Sequence, residues 1–564
     1  MASLQYKQWN SWKGGIDDTN QKQGGMYFSH GVDPYRKPGY LSVADSMAKS
    51  VSEDDIASFT EQIYWFEDMA GNLFALDSGG DLYRRTAAGT WNDDADWPHA
   101  DTNTGTGNGL IEYAGALYWM SDTICGKVTS PTSGVGVPTF NDSFKTGFTD
   151  SDWHPMAKFF GKLTIGNDRY LATYDGTTWN LTALTLPSNY VVKCLAVMDD
   201  LIAIGTAPQL GDDARIFFWD GTSATYNLEL SVKASSIDAM MVWSNILWVI
   251  AGDAGNLHYY NGATLKEVAK IADVDVESGA SVTVIPGGIA QYRGKVVYGV
   301  NTVSTIRDRV MPGVWGFDPE TGGLSLMFLN SNFSQNTSAH TYAVFFDGTY
   351  LWAGNKDSNT GATSTTMVDR SGGAKYTEAA YWTSQWIDEN DFANKHFRKL
   401  WLNFFEFPAS GSTNEITVKY RLDDTTRRLN NGSEYTATGG GASTITIAST
   451  TGLQAGDEVT VTGGPSSGDI RKISTVDSAT QLTIDRAWTA TPVNAQTKFV
   501  VERWTELGTI TASANANETN IGFDFINRIG KKIQFKIELR DAETSGEQVA
   551  LSEVTTGYIQ KSPR

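Results

Sequence analysis

Six histidines are the first places to look for metal or acid–base chemistry: His30, His99, His154, His258, His340 and His396. None stands in a His-x-His or His-Glu-x-x-His spacing, so the sequence predicts no zinc site. His258, flanked by Leu257 and Tyr259, reads as a residue on a strand face. Calcium would need six to eight oxygens. The best acidic clusters are Asp93-Asp94-Ala95-Asp96 and Asp150-Ser151-Asp152. Both lack the glycine and late glutamate of an EF-hand loop, so they read as solvated loops, and Asp199-Asp200 and Asp212-Asp213 as turns. There is no Gly-x-Ser-x-Gly elbow for a nucleophilic serine. Gly252-Asp253-Ala254-Gly255-Asn256 and Gly439-Gly440-Gly441 lack the following lysine or helix that cradles phosphate. Carboxylate pairs are common in so acidic a chain and mean nothing without geometry. The expectation is a chain with no catalytic residues, no metal and no cofactor: not an enzyme.

The elements around these residues are strands. One pattern recurs: alternating apolar and aromatic residues, then Asp or Asn, Gly, and a small residue. It appears at Tyr174-Asp175-Gly176-Thr177-Thr178-Trp179, at Trp219-Asp220-Gly221-Thr222-Ser223 and at Tyr260-Asn261-Gly262-Ala263-Thr264, with a looser copy at Phe317–Gly323. Asp-Gly and Asn-Gly between such runs predict type I′ hairpins. The order differs from the sialidase motif Ser/Thr-x-Asp-x-Gly-x-Thr-Trp, because Gly176 follows Asp175 directly. No arginine cluster that could hold an acidic sugar is recognisable either. Each hairpin follows another strand pair, for example Leu110–Trp119, Met156–Ile165, Cys194–Gly205, Met240–Ala251, Ile289–Val300 and Ala343–Gly354. About seven units of roughly 40–57 residues with four strands each give the period of a propeller blade.

The predicted fold is therefore all-β: an about seven-bladed β-propeller followed by a C-terminal β-sandwich carrying a small inserted β-barrel-like domain. Residues 1–54 form an N-terminal arm and ring-closing strand, with 26–45 proposed to complete the last blade. The propeller covers 55–380. The sandwich covers 381–436 and 503–564, on the alternation of His396–Phe407, Ile416–Arg421, Lys532–Leu539 and Val549–Ile559. The insert covers 437–502. Trp91, Trp97, Trp153, Trp179 and Trp219 lie in or near loops; most are expected to pack between blades, the rest to stack on sugar rings or anchor a partner.

The 564 residues include 44 Lys and Arg against 64 Asp and Glu, a net charge of −20. Such a chain repels phosphates, which argues against sequence-wide nucleic-acid binding. Cys125 and Cys194 read as buried thiols, not a disulfide framework. No apolar run has the length of a membrane span, and Met1–Trp12 has no signal-peptide core. The chain is expected to fold in a cytosol and act within an assembly.

Two sets of segments resemble tailed-bacteriophage structural proteins with a propeller. One is Trp12-Lys13-Gly14-Gly15-Ile16-Asp17-Asp18 with Asp33-Pro34-Tyr35-Arg36-Lys37-Pro38-Gly39-Tyr40-Leu41. The other is Trp386-Ile387-Asp388, Ile416–Arg421, Trp504-Thr505-Glu506-Leu507-Gly508 and Lys532–Leu539. The insert, through Leu453–Val461, is similar to small modules of phage tail and baseplate proteins. The resemblance implies a structural virion protein of the tail, of nozzle, hub or tip type, made in the host cytoplasm. It implies copies of the chain in a cyclic ring (a hexamer favoured), other tail proteins (adaptor, tube or fibres) as partners, and DNA only as passing cargo, which an acidic lumen would repel. The competing expectation is a propeller that binds host-surface glycan or receptor.

Overall fold

The computed structural model describes residues 4–16, 25–37, 39–45, 47–49, 61–85, 91, 97, 99–100, 107–130, 138–271, 281–303, 313–328, 339–357, 365–372, 380–387, 394–406, 414–422, 429, 434–464, 469–488, 490–515, 518–541 and 549–560. Among them there is no helix, and the strands form propeller, sandwich and barrel.

Among the described residues, seven successive antiparallel meanders can be followed. Blade 1 has Ile63–Met69, Asn72–Asp77 and Leu82–Arg85, with isolated bridges from Trp91 and His99 beyond its third strand. Blade 2 runs from Gly107–Tyr113 to Thr139–Thr146, blade 3 from Met156–Phe159 to Trp179–Thr185, and blade 4 from Tyr190–Met198 to Leu228–Val232. Blade 5 runs from Ile237–Trp243 to Leu265–Ala269, and blade 6 from Ile289–Tyr292 to Gly323–Phe328. Blade 7 comprises Ala339–Phe346, Leu351–Asp357 and Thr365–Arg370, and its fourth strand is Ala48–Lys49.

Packing explains the pattern. The second strand of a blade has neighbouring blades on both faces, so Asn72–Asp77 and Ala116–Ser121 are buried at every residue. The outer strand Thr139–Thr146 alternates in exposure instead. Each apolar cluster joins one blade to the next: Phe74, Leu76 and Trp97 meet Leu117 and Trp119, and Ala203 and Phe218 meet Val249 and Tyr260. The last joins Ala343, Trp352 and Val368 of blade 7 to Ile63, Phe66 and Leu73 of blade 1, which closes the ring. Burying these faces removes them from water at about 25 cal/mol per Å² of apolar area.

The hairpins lie where the sequence places them, but the type I′ backbone does not fall at the Asp-Gly and Asn-Gly sites. Positive φ at both central residues occurs between first and second strands, at Ala70-Gly71, Ala114-Gly115, Phe160-Gly161, Ser244-Asn245 and Arg293-Gly294. At Asp175-Gly176, Asp220-Gly221 and Asn261-Gly262 only the glycine has positive φ. There the Asp or Asn side chain accepts hydrogen bonds from the backbone N–H groups two and three residues on. The side chain thus does the work assigned to the type I′ backbone.

A second correction concerns the N-terminal arm. Residues 26–45 do not complete the last blade; Ala48–Lys49 does. Phe28–His30 pairs with Ala380–Thr383, and Leu41–Val43 and Leu4–Trp9 pair with Ala550–Gln560. The reason is burial: Phe28, Val32, Leu41 and Val43 need cover on both sides, which a blade edge lacks. The sandwich is thus assembled from both ends of the chain. One sheet runs Asn520–Gly530, Lys395–Phe404, Ala550–Gln560, Leu41–Val43, Val32–Asp33; the other runs Phe28–His30, Ala380–Thr383, Ile533–Arg540, Glu415–Leu422, Thr505–Thr511. Trp9 and Trp12 pack edge-on against Trp382 in the core between them, at 5.5 and 6.4 Å.

The arm crosses the outer strand of blade 6 at two glycines. Gly15 has φ +72°, and a Cβ there would lie 2.3 Å from the Leu324 nitrogen; one on Gly323 would lie 2.0 Å from the Lys13 oxygen. The insert is a closed six-stranded barrel, beginning at Tyr435–Gly441 and ending at Lys498–Glu502, around Ile445, Val459, Leu482 and Phe499.

Candidate functional site

The residues singled out in the sequence are dispersed. His30 is buried in the sandwich and stacks on Tyr381, and burial depresses its pKa to about 3. His154 is buried beside the Gly166 carbonyl, also with a depressed pKa. His99 stacks on Phe140 and meets Asp142 at 2.7 Å. His258 lies on the third strand of blade 5, His340 on the first strand of blade 7, and His396 on a sandwich strand. Among the described residues no group of three or more His, Cys, Asp or Glu is arranged to hold a metal ion. Asp93, Asp94 and Asp96 lie outside the described residues. Asp150 and Asp152 fall between blades 2 and 3, where the Asp152 carbonyl accepts from Asn108. Hydrogen bonds from Thr178 and Thr177 hold Asp175 down at about 2, and those from Ser223 and Thr222 hold Asp220 lower still.

Cys125 and Cys194 are buried free thiols in different blades, and burial pushes both pKa values up. Trp91, Trp97 and Trp219 are buried, and Trp179 stacks on Tyr174 at 4.5 Å. Trp153 is half-buried, its ring 5.1 Å from that of Tyr64, which lies 5.7 Å from that of Tyr342.

Two charged constructions were not anticipated. On the innermost strands, ion pairs tie two pairs of neighbouring blades together: Lys158 of blade 3 to Glu112 of blade 2 at 2.5 Å, and Lys193 of blade 4 to Asp238 of blade 5 at 2.6 Å. Glu67 of blade 1 accepts from the Glu112 N–H at 3.0 Å, and burial raises its pKa to about 7.

The second is a buried quartet where barrel meets sandwich. Lys419 from Glu415–Leu422, Lys536 and Glu538 from Ile533–Arg540, and Glu458 from the barrel strand Glu458–Gly463 converge. Lys419 lies 2.6 Å from Glu458 and also pairs with Glu538; Lys536 pairs with Glu458 and stands 3.6 Å from Glu538. The Lys536 ammonium sits 3.9 Å above the Tyr381 ring. Burial alone would raise the Glu458 pKa, but the two ammonium groups outweigh it and hold the carboxylate ionised. For Glu538 burial wins and the pKa rises. Two ammoniums and two carboxylates leave the cluster neutral overall, the condition for tolerating buried charge. Arg421 next to it reaches Gln534 at 2.8 Å and lies over Trp504 at 4.5 Å. In sequence, charges at alternate positions of apolar strands read as a solvated face. Only the barrel, which arrives from elsewhere in the chain, turns that face into an interior.

What these groups can do is brace. The quartet fixes the barrel to the sandwich, and the Gly15–Gly323 crossing fixes the sandwich to blade 6.

No known family's sequence profile matches the chain, and no curated protein matches it either. Among solved structures it is similar to the β-propeller domain of Cps50 (Swd1) from Myceliophthora thermophila, at 9% identity and TM-score 0.39 over 57% of this chain and 99% of that one. It is similar to the Dos1 propeller at 9% identity and TM-score 0.34, over 58% and 88%. A third similarity is to the computationally designed Ika8 protein, at 14% identity and TM-score 0.36, over 56% and 98%.

Proposed function

We propose that the chain is a structural virion protein of a bacteriophage tail, of nozzle, hub or tip type, working as one subunit of a ring. The observation that carries this reading is convergence. The segments that resemble phage tail proteins lie at opposite ends of the sequence, yet Trp12, Leu41, Ile416, Val418, Ile533 and Ile537 share one sandwich core. The resemblance therefore attaches to one folded unit and not to scattered composition. The bracing of that unit against both barrel and blade 6 suits a part that bears load. Antibody raised against the chain should decorate the distal tail of virus particles made by the cells that express it. Particles free of label, with the chain left in the lysate, refute the reading.

A second reading, recognition of a host-surface glycan, is favoured by the Trp153–Tyr64–Tyr342 aromatic group at the inner strands of the propeller. Aromatic faces stack on sugar rings. Binding on a glycan array, lost in Trp153→Ala, would support it; an array without signal removes it.

A further inference from the structure

Three aromatic side chains of the propeller, Tyr64, Trp153 and Tyr342, belong to none of the apolar clusters that join its blades. They stand in a row instead, and His340 continues it. The centroids of Trp153 and Tyr64 are 5.1 Å apart, those of Tyr64 and Tyr342 5.7 Å, and those of Tyr342 and His340 5.7 Å. All four keep part of the side chain in solvent. Packing of the blades therefore does not account for the row.

The row sits on the seam that closes the ring. Tyr64 is the second residue of the innermost strand Ile63–Met69 of blade 1, and His340 and Tyr342 lie near the start of the innermost strand Ala339–Phe346 of blade 7. Trp153 comes from the link between blades 2 and 3. The buried Asn108 holds that link across the start of blade 2. Its side chain donates to the Ser151 and Asp152 carbonyls at 3.1 Å each, and its own carbonyl accepts from the His154 N–H at 3.1 Å. Trp153 is thus fixed before any ligand arrives, which lowers the ordering cost of binding.

Carboxylates border the row. Burial raises the Tyr64 pKa, and the charges of Glu61 and Asp152 beside it raise it further. Both carboxylates are exposed. Glu61 takes up the Lys356 ammonium at 3.2 Å. Asp152, with exposed Asp150 two residues before it, then leaves an excess of negative charge next to the rings. A carboxylate accepts hydrogen bonds from sugar hydroxyls and repels the carboxylates of sialic and uronic acids.

We propose that this row binds an oligosaccharide without acidic groups, laid from the blade 2–3 link across blade 1 to blade 7. The inference rests on the reading of the propeller as a glycan receptor and names the class of glycan. Each aromatic face stacks on one sugar ring, so a row of faces takes a chain of several sugars. The bordering carboxylates orient the hydroxyls and turn acidic chains away.

The test presents the full chain with a glycan array of matched pairs: sialylated oligosaccharides beside the same chains without sialic acid, and oligogalacturonates beside galactose oligomers. The uncharged member of a pair should bind at least about tenfold more tightly, and a hexasaccharide at least about tenfold more tightly than a disaccharide. Trp153→Ala should lose at least about tenfold in affinity with an unchanged melting temperature, and Trp153→Phe should keep most of it. Glu61→Gln with Asp152→Asn alters only exposed positions and should remove most of the discrimination against acidic chains. Acidic chains bound as well as their uncharged partners overturn the proposal and leave the glycan reading standing. Uncharged chains bound equally well by Trp153→Ala do the same, since the site then lies elsewhere. Should Trp153→Ala fail to fold, unchanged discrimination in the double carboxylate variant overturns the proposal. An array without any signal removes the glycan reading and this inference with it.

Discussion

Replacing Glu458 by Gln keeps the shape of the side chain and removes its charge. Glu458 is 2% exposed and contacts both Lys419 and Lys536. Without its charge, two ammonium groups share the single carboxylate of Glu538, and the buried cluster carries a net positive charge. Breaking one member of a buried ion cluster costs about 3–5 kcal/mol. Because Glu458 belongs to the barrel and its partners to the sandwich, the cost should fall on the docking of one on the other. At 1.4 kcal/mol per decade, the undocked population rises by about two to nearly four decades. Hydrogen exchange read by mass spectrometry should show faster exchange in Glu458–Gly463 and Ile533–Arg540, with the exchange of blades 2–4 unchanged. The double variant Glu458→Gln/Lys536→Met leaves Lys419 paired with Glu538 and should recover most of the loss. A single variant within about 1 kcal/mol of the unaltered chain, with unchanged exchange in both strands, would mean that the cluster is solvated and the reasoning wrong.

Other outcomes follow from single contacts. The pKa of Glu67 is raised to about 7 by burial, so between about pH 4.5 and 7 the folded chain keeps a proton that the unfolded chain releases. Its contribution to stability falls as pH rises through that window, and Glu67→Gln should raise the thermal midpoint at pH 8 but not at pH 4. A Cβ on Gly126 would stand 2.2 Å from the Trp119 ring, so Gly126→Ala should cost about 1–3 kcal/mol in urea unfolding; no change would mean that the ring is free to move. Gly15→Ala combines positive φ with a backbone clash against Leu324 and should speed protease cleavage of the N-terminal arm, with blades 3–5 still resistant.

The propeller was legible because its signal is local. Hairpins at a regular period, such as Ser244-Asn245 and Arg293-Gly294, mark strand pairs without reference to the rest of the chain. The Asp-Gly sites read as turns in the sequence, but their backbone does not follow from it, since sequence does not show whether Asp175 turns the chain through its φ or through its side chain. The sandwich was legible only in its C-terminal half. Leu4–Trp9 and Leu41–Val43 look like stray short strands until Ala550–Gln560 lies beside them. The buried quartet was hidden for the same reason. Lys419, Lys536 and Glu538 alternate with apolar residues as a solvent-facing row would, and Glu458 reaches them from a separate domain. Long-range pairing is set by three-dimensional closure and leaves little trace in local periodicity.

The pairing of Leu4 with Ile559 sets a schedule for synthesis. Leu4–Trp9 leaves the ribosome long before its partner strand does. At translation speeds of about 5–20 residues per second, the wait is roughly half a minute to two minutes. Through that time the blades can form one after another, each burying its face on the one before. The early strand, with Trp9, Trp12 and Phe28, has no sheet to join. A nascent chain in this state exposes an unpaired edge that invites wrong partners. Slowed elongation should therefore increase aggregation of the chain more than that of most proteins of its size, and the emergence of Ala550–Gln560 becomes the event that completes the sandwich.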